Sequence, residues 1–166
     1  MGYTHYWDRP TDNAGTAEMF GKLALDTKKI IKQAELNGIR IRDAYGLGEA
    51  NFNEAYFGIN GDAEAFYNDL SNGRGRDLAH EGFVWEGIPN QPEHRKGEPT
   101  YFNFCKTAYK PYDAVITAVL IRAKVIYGQC VDISSDGDWS EWQAGRDLYA
   151  SVFGELAECP FSRVTS

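Results

Sequence analysis

Apolar residues recur every three or four positions in three segments, and this spacing predicts three helices. In Thr16–Leu36 the recurring residues are Phe20, Leu23, Thr27, Ile30, Ile31 and Ala34, and most lysines of the segment lie on the opposite face. Pro111–Tyr127 is apolar on most faces, which indicates a buried central helix with proline in its first turn. Trp139–Phe153 is apolar on one side, and Asp138 with Glu141 can cap its start.

Short segments rich in aromatic and β-branched residues, bounded by turn residues, predict strands. These segments are Tyr3–Trp7, Ile39–Ile41, Ala55–Asn60, Gly82–Glu86, Tyr101–Cys105 and Cys130–Ser134. The pattern also favours a loop over Tyr45–Asn53, a short helix over Gly61–Leu70 and a flexible basic loop over Ser71–Arg76. Strands and helices do not alternate regularly, so we predict an α+β fold: an antiparallel sheet of about five strands packed against three helices.

The composition fits one globular domain spanning residues 1–166, with 43% hydrophobic and 14% aromatic residues. The formal net charge of -7 disfavours binding to duplex nucleic acid, because phosphate neutralisation requires a basic surface. Three widely spaced cysteines without a CxxC pair indicate a reducing cytoplasm rather than a disulfide framework or zinc site. No apolar run approaches the roughly 20 residues of a membrane span, and the first residues do not resemble a signal peptide.

Five stretches of the chain together resemble a family of small proteins encoded mainly by tailed phages and prophages. They are Gly2–Trp7 (GYTHYW), Ile59–Gly61 (ING), Asp77–Glu81 (DLAHE), Phe104–Asp113 (FCKTAYKPYD) and Ser134–Trp139 (SSDGDW). The chain departs from the family pattern at Tyr109, where arginine is expected, and at Gly82, where threonine is expected. The resemblance implies a phage setting, hence the cytoplasm of a bacterial host cell, and it carries no activity with it.

The segment Phe104–Asp113 is the most informative for chemistry. Lys106, Thr107 and Lys110 lie on a connection from a strand into a helix, where two ammonium groups, a hydroxyl and a helix N-terminus suit an anion. The alternative is a tight turn in which both lysines are solvated. Cys105 is a candidate nucleophile because nearby lysines lower a thiol pKa, although a lone cysteine more often simply packs in a core.

Tyr3, His5 and Trp7 alternate along the first strand and therefore share one face. That face is a candidate platform for stacking a nucleobase, with Tyr6 on the opposite face. The alternative, which the pattern favours, is a core strand with a hydrogen-bonded histidine. His80, beside Glu81, is a candidate ligand-binding or acid/base residue, or part of a loop cap.

The segment Asp132–Asp138 resembles the start of a calcium loop, with oxygen side chains at alternate positions and Gly137 sixth. The twelfth position is Gln143 rather than glutamate, so a turn with a helix cap is the preferred interpretation. A third interpretation, between these two, is that Asp132 or Asp136 accepts hydrogen bonds from ligand hydroxyls such as those of a ribose. We expect no metal site and no cofactor.

Three hypotheses for function follow. The first is a phage-encoded binder that sequesters a small nucleotide-derived molecule, such as a host immune signal, as an anti-defence protein. The second is a nucleotide hydrolase or phosphodiesterase that uses His5, His80 and the aspartates; it ranks lower because the sequence lacks a strong catalytic signature. The third is a protein–protein inhibitor of a host factor, since an acidic, aromatic-rich domain can mask a basic surface. The sequence leaves open whether the protein forms a homo-oligomer.

Overall fold

The computed structural model describes residues 3–69 and 74–161, with their side chains except those of residues 66–69 and 74–76. The α-helices are α1 Ala17–Leu36, α2 Asp113–Tyr127 and α3 Gln143–Phe153. The strands are β1 Thr4–Pro10, β2 Asn51–Phe52, β3 Tyr56–Ile59, β4 Phe66–Asp69, β5 Arg74–Asp77, β6 Phe83–Glu86, β7 Thr100–Lys106 and β8 Asp132–Ser135. Short 3-10 helices cover Glu93–Arg95, Gly128–Cys130 and Trp139–Trp142.

The three predicted helices are confirmed, with small shifts at their ends. The Thr16 hydroxyl caps α1 by accepting a hydrogen bond from the Met19 amide at 3.2 Å. Helix α2 begins at Asp113 rather than at the predicted proline, because Pro111 and the residue after it belong to a turn. The predicted capping pair forms between Asp138 and Glu141, and it caps the 3-10 turn that leads into α3.

Helix α2 is the centre of the core and contacts both α1 and α3. Ten of its fifteen residues are buried, as its apolar pattern predicted. At one end Arg122 ties the three helices together: its Nε lies 2.7 Å from the buried Asp26 carboxylate of α1, and its Nη1 lies 3.1 Å from the Tyr149 hydroxyl of α3.

The α+β class is confirmed, but the prediction of one sheet with about five strands is wrong. The first sheet has the order β7-β1-β8, and the second has the order β2-β3-β6; both are antiparallel. Strands β4 and β5 pair only with each other. Strands β7 and β8 occupy both edges of β1, whereas β3 and β6 pair with each other in a separate sheet.

The two three-stranded sheets meet through aromatic side chains on their inner faces. The Trp7 ring of β1 lies 4.7 Å from the Phe83 ring and 6.2 Å from the Trp85 ring of β6, measured between centroids. Arg9 of β1 is 2% exposed and donates hydrogen bonds to the carbonyls of Glu86 and Gly87. The two sheets are therefore joined by the packing of these aromatic rings and of the Arg9 side chain, not by hydrogen bonds between strands.

Several local predictions are also wrong. The expected helix over Gly61–Leu70 is absent from its described part, since Phe66–Asp69 pairs with β5 as a strand; Leu70 lies outside the described residues. The expected strand at Ile39–Ile41 is absent, and one isolated bridge follows it between Arg42 and Asn60. The loop expected over Tyr45–Asn53 contains the short strand β2. Of the expected basic loop, residues 74–76 lie in β5 and residues 71–73 lie outside the described part.

Candidate functional site

The connection between β7 and α2, residues 106–112, is where the stretches singled out in the sequence meet. On one side Glu81 holds it: the Glu81 carboxylate accepts from the Lys106 amide at 2.9 Å, and the Glu81 carbonyl accepts from the Tyr112 hydroxyl at 2.7 Å. On the other side the Thr107 amide donates to the Tyr3 carbonyl at 3.0 Å. Residues far apart in sequence therefore form one end of the first sheet.

A buried chain of hydrogen bonds runs through this end of the sheet. His5 is fully buried on β1; its Nδ1 lies 2.8 Å from the Ser135 hydroxyl, and its Nε2 lies 2.6 Å from Oδ1 of Asp113. The same carboxylate oxygen accepts from the Thr107 hydroxyl at 2.5 Å. The register brings this about, since His5 pairs with Ser135 across β1 and β8, while Asp113 begins α2.

The partners of Ser135 determine which nitrogen of His5 carries the proton. The Ser135 oxygen accepts from the Gly137 amide at 3.0 Å and from the Trp142 indole at 3.2 Å. These two donors occupy both acceptor positions of a hydroxyl, so its own proton points to Nδ1 of His5. These contacts assign the His5 proton to Nε2, which donates to Asp113.

The order hydroxyl, imidazole, carboxylate is also that of a serine hydrolase triad. Here, however, the imidazole has edge-to-face contacts with Tyr3 at 4.9 Å and Trp142 at 5.1 Å between ring centroids. Both acceptor positions of the Ser135 oxygen are filled as well. The arrangement is therefore suited to fixing the Asp113 carboxylate, whose side chain is 16% exposed.

Tyr109 projects from this connection and was not among the sequence candidates. Its ring stacks on the buried Tyr3 ring, with centroids 3.8 Å apart and planes 19° apart, while 65% of Tyr109 is exposed. Ala108 and Tyr109 both have left-handed backbones, with φ of 54° and 60°. Such a conformation costs a residue other than glycine about 1–2 kcal/mol, so the surrounding contacts hold this turn against local preference.

The three residues of the expected anion cradle have different environments. Thr107 is fully buried and donates to Asp113. The Lys110 ammonium, in a side chain 12% exposed, binds the Asp77 carboxylate at 3.2 Å and the Ala79 carbonyl. Lys106 is exposed, with its ammonium 5.9 Å from the centroid of the Phe104 ring. The lysine free to meet an anion is therefore Lys106.

Tyr3, His5 and Trp7 share one face of β1, as predicted, and that face is turned to the core rather than to solvent. Each of the three is at most 2% exposed. This is the core-strand alternative, with the histidine hydrogen-bonded on both nitrogens. None of these rings is open to a ligand in this conformation.

The remaining candidates lie at the surface. His80 is exposed, and its Nδ1 lies 2.8 Å from the Lys106 carbonyl, so Nδ1 carries the proton and Nε2 is left to solvent. Asp136 is exposed and accepts from the Thr4 amide at 3.1 Å and the Tyr6 hydroxyl at 3.0 Å. Asp132 lies opposite Asp8 on the outer face of the first sheet, away from the His5 network.

Cys105 is a core residue with its thiol protonated. Burial raises its pKa, the Glu81 carboxylate raises it further, and the thiol donates to the Glu81 carbonyl at 3.5 Å. The cysteine is fully buried, so the nearby lysines do not create a reactive thiolate.

Sequence reasoning did not select Ser135, Asp113, Trp142 or Tyr109. Each of these residues lies in or beside a stretch that the sequence analysis singled out. Two of them, however, contact a residue that is distant in sequence: Asp113 lies 108 positions and Ser135 lies 130 positions from His5. The signal that could have found them is the polar residue at the start of α2, Asp113, together with the polar residue at the end of β8, Ser135. Both are possible hydrogen-bond partners for the histidine on β1.

Comparison with known protein families, with curated proteins and with solved structures yields no match, so function is argued from the geometry of this chain. In the described part of the chain, no group of three or more His, Cys, Asp and Glu side chains is arranged to hold a metal ion. Over the same residues, no helix has both the length and the apolar character to cross a bilayer.

Proposed function

We propose that the protein binds a small nucleotide-derived molecule whose base stacks on the exposed face of Tyr109. The observation that carries this proposal is the Tyr3–Tyr109 stack. A tyrosine that is 65% exposed is held in one orientation by a buried ring and by a strained left-handed turn. A fixed aromatic surface open to solvent is what base stacking requires, and such stacking contributes about 1–3 kcal/mol per base.

The electrostatics around Tyr109 favour a ligand rich in hydrogen-bond donors. Partial desolvation raises the pKa of the Tyr109 hydroxyl, and the Glu141, Asp113 and Asp136 carboxylates raise it further. Tyr109 donates to Glu141 at 3.4 Å. Exocyclic amines of a base and hydroxyls of a ribose suit such surroundings, whereas a phosphate group does not.

A phosphate of the same ligand would lie toward Lys106 and His80. Both side chains are exposed, and His80 is held beside this lysine by the contact of its Nδ1 with the Lys106 carbonyl at 2.8 Å. In the phage setting that the resemblance implies, a binder of this kind would sequester a host nucleotide signal in the bacterial cytoplasm and so act against host defence.

The test is to incubate the purified protein with a panel of bacterial nucleotide signals, wash it, and analyse the bound and released fractions by mass spectrometry. We expect an intact molecule that is released on heating. Tyr109→Ala should lower the affinity of the captured molecule roughly 5- to 100-fold, and Tyr109→Phe should retain it. Tyr45→Ala is the matched control, because it removes a tyrosine that is 83% exposed outside this connection, and it should leave the affinity for the captured nucleotide unchanged. If no nucleotide is captured and none is altered, a protein partner becomes the better hypothesis.

A hydrolase is the second candidate, favoured by the connectivity of Ser135, His5 and Asp113. In such an enzyme the Gly137 or Trp142 donor would first have to leave the Ser135 oxygen. Nδ1 of His5 would then take the Ser135 proton as the oxygen attacks the substrate, and give that proton to the leaving group. A water deprotonated by the same nitrogen would release the bound group and restore the Ser135 hydroxyl. A chemically altered nucleotide in the same incubation, absent with Ser135→Ala, would place catalysis above sequestration.

A further inference from the structure

A cavity of about 490 Å³ lies on the outer face of the second sheet, opposite the side that packs on the core. Its floor includes Val84, between the core-facing Phe83 and Trp85 of β6. Apolar walls come from Tyr45, Tyr56 and Ile88, which are 83%, 36% and 89% exposed. Exposed aromatic and aliphatic groups gathered around one cavity indicate a binding surface.

The charged groups of this cavity are carboxylates. Its lining includes the Asp43 and Glu86 carboxylates and the Asn51 amide, and none of its lining residues is Lys, Arg or His. Backbone amides of Tyr45, Leu47 and Gly48 donate to Asp43. The hydrogen bond from Leu47 is the largest cause of a lowered Asp43 pKa, so this carboxylate stays ionised.

Two acceptor atoms in the lining have no partner among the described residues. Glu86 uses Oε2 to accept from the Asn90 amide at 3.0 Å, which leaves Oε1 unused. Asn51 uses Nδ2 to donate to the Tyr56 hydroxyl at 3.1 Å, which leaves its amide oxygen unused. The same hydrogen bonds hold the Tyr56 hydroxyl and the Glu86 carboxylate in place, so these two groups are positioned before a ligand arrives.

We propose that this cavity binds an alkyl guanidinium group. A planar guanidinium stacks on tyrosine faces and donates in a fork to a carboxylate, so Tyr45 and Tyr56 would hold its plane and Glu86 its N–H groups. The alkyl chain would contact Ile88 and Val84. The negative net charge of the protein draws such a cation toward the surface. This proposal does not depend on nucleotide binding at Tyr109.

The experiment is a titration of ¹⁵N-labelled protein with n-butylguanidinium, followed by amide chemical shifts, with n-butylurea as the neutral isostere. We expect saturable shifts at Tyr45, Asn51, Tyr56 and Ile88 with the cation and none with the urea. Glu86→Gln should lower the affinity roughly tenfold, since it removes the charge while its amide oxygen can still accept from Asn90. Glu158→Gln removes an exposed charge outside the cavity and should leave the affinity unchanged.

Equal shifts from butylurea, or an unchanged affinity in Glu86→Gln, would overturn the proposal, because the cavity would then select only for an apolar chain. Tyr109→Ala separates this site from the nucleotide site, since it should leave butylguanidinium binding unchanged. An arginine-containing tripeptide amide, tested in parallel, distinguishes the two sources of the group. Tighter binding than butylguanidinium indicates a protein side chain, and weaker binding indicates a free small molecule; both support a guanidinium site.

Discussion

His5 and Asp113 are separated by 108 positions in sequence, yet Nε2 of one lies 2.6 Å from Oδ1 of the other in the interior of the protein. The contact joins β1 to the start of α2, and Thr107 donates to the same carboxylate oxygen. A helix N-terminus also favours a negative charge at this position. One carboxylate therefore satisfies two fully buried donors at the base of the Tyr109 turn.

Asp113→Ala should destabilise the protein by about 2–4 kcal/mol. The substitution leaves the His5 and Thr107 donors buried without a partner, and each such loss costs about 1–3 kcal/mol. Urea unfolding followed by circular dichroism measures the change. Asp147→Ala removes an exposed carboxylate that accepts from Gln143 on the surface of α3, and it should cost less than about 1 kcal/mol. Similar losses in the two variants would contradict the role assigned to Asp113.

Ala108→Gly should stabilise the folded protein by about 1 kcal/mol. Ala108 has a φ of 54°, where an alanine side chain is strained and glycine is not. Ala144→Gly, at an exposed position in the first turn of α3, is the control with the opposite sign and should destabilise by roughly 0.5 kcal/mol. Thermal unfolding of both variants beside the wild type gives the comparison. A loss of stability in Ala108→Gly would show that the turn is not strained.

Arg9→Lys should destabilise the protein by about 2–4 kcal/mol, although the charge is kept. The Arg9 guanidinium lies 5.0 Å from the ring centroids of both Trp85 and Tyr127, and it donates to three backbone carbonyls. An ammonium cannot reproduce this planar fork, so buried carbonyls lose their donors. Arg40→Lys, at a side chain that is 65% exposed, should change stability by less than about 0.5 kcal/mol. Chemical denaturation distinguishes the two expectations.

Asp8→Asn should raise stability near neutral pH and have little effect in acid. Burial raises the pKa of Asp8, and the Asp132 carboxylate opposite it raises the pKa further, against the influence of Arg95. The folded-state pKa is thus above that of the unfolded chain, so this group destabilises the fold as pH rises through that interval. We expect a melting temperature roughly 1–3 °C higher than wild type at about pH 7, and no difference at about pH 3.

Asp12→Asn is the control for that measurement, because Asp12 is exposed. It should show no pH-dependent gain. A constant difference for Asp8→Asn at both pH values would mean that the effect comes from packing rather than from the ionisation of this carboxyl.

The helices could be predicted because their signals are local. Apolar spacing and the Asp138–Glu141 pair act within a few residues, and each was found where the sequence indicated. The prediction that Tyr3, His5 and Trp7 share one face of β1 was also confirmed, because successive side chains of a strand point to opposite faces.

Strand pairing could not be predicted in the same way, because alternation defines the two faces of a strand but not its neighbours. The single sheet was wrong for this reason: β3 and β6 pair with each other, and their sheet packs across β1 through Trp7 and Arg9. The candidate site shows the same limit. Its lysines were recognisable, but Lys110 is bound by Asp77, 33 positions away.

The sequence by itself determined the three helices and the inward face of β1. It also showed that the Phe104–Asp113 stretch contains the polar residues Lys106, Thr107 and Lys110. Only the tertiary structure decided that His5 is enclosed, that Ser135 and Asp113 are its partners, and that Tyr109 rather than Trp7 faces solvent. The physical reason is that hydrogen bonds and ring stacking act over a few ångströms in space. Which residues come within that distance is set by packing of the whole chain.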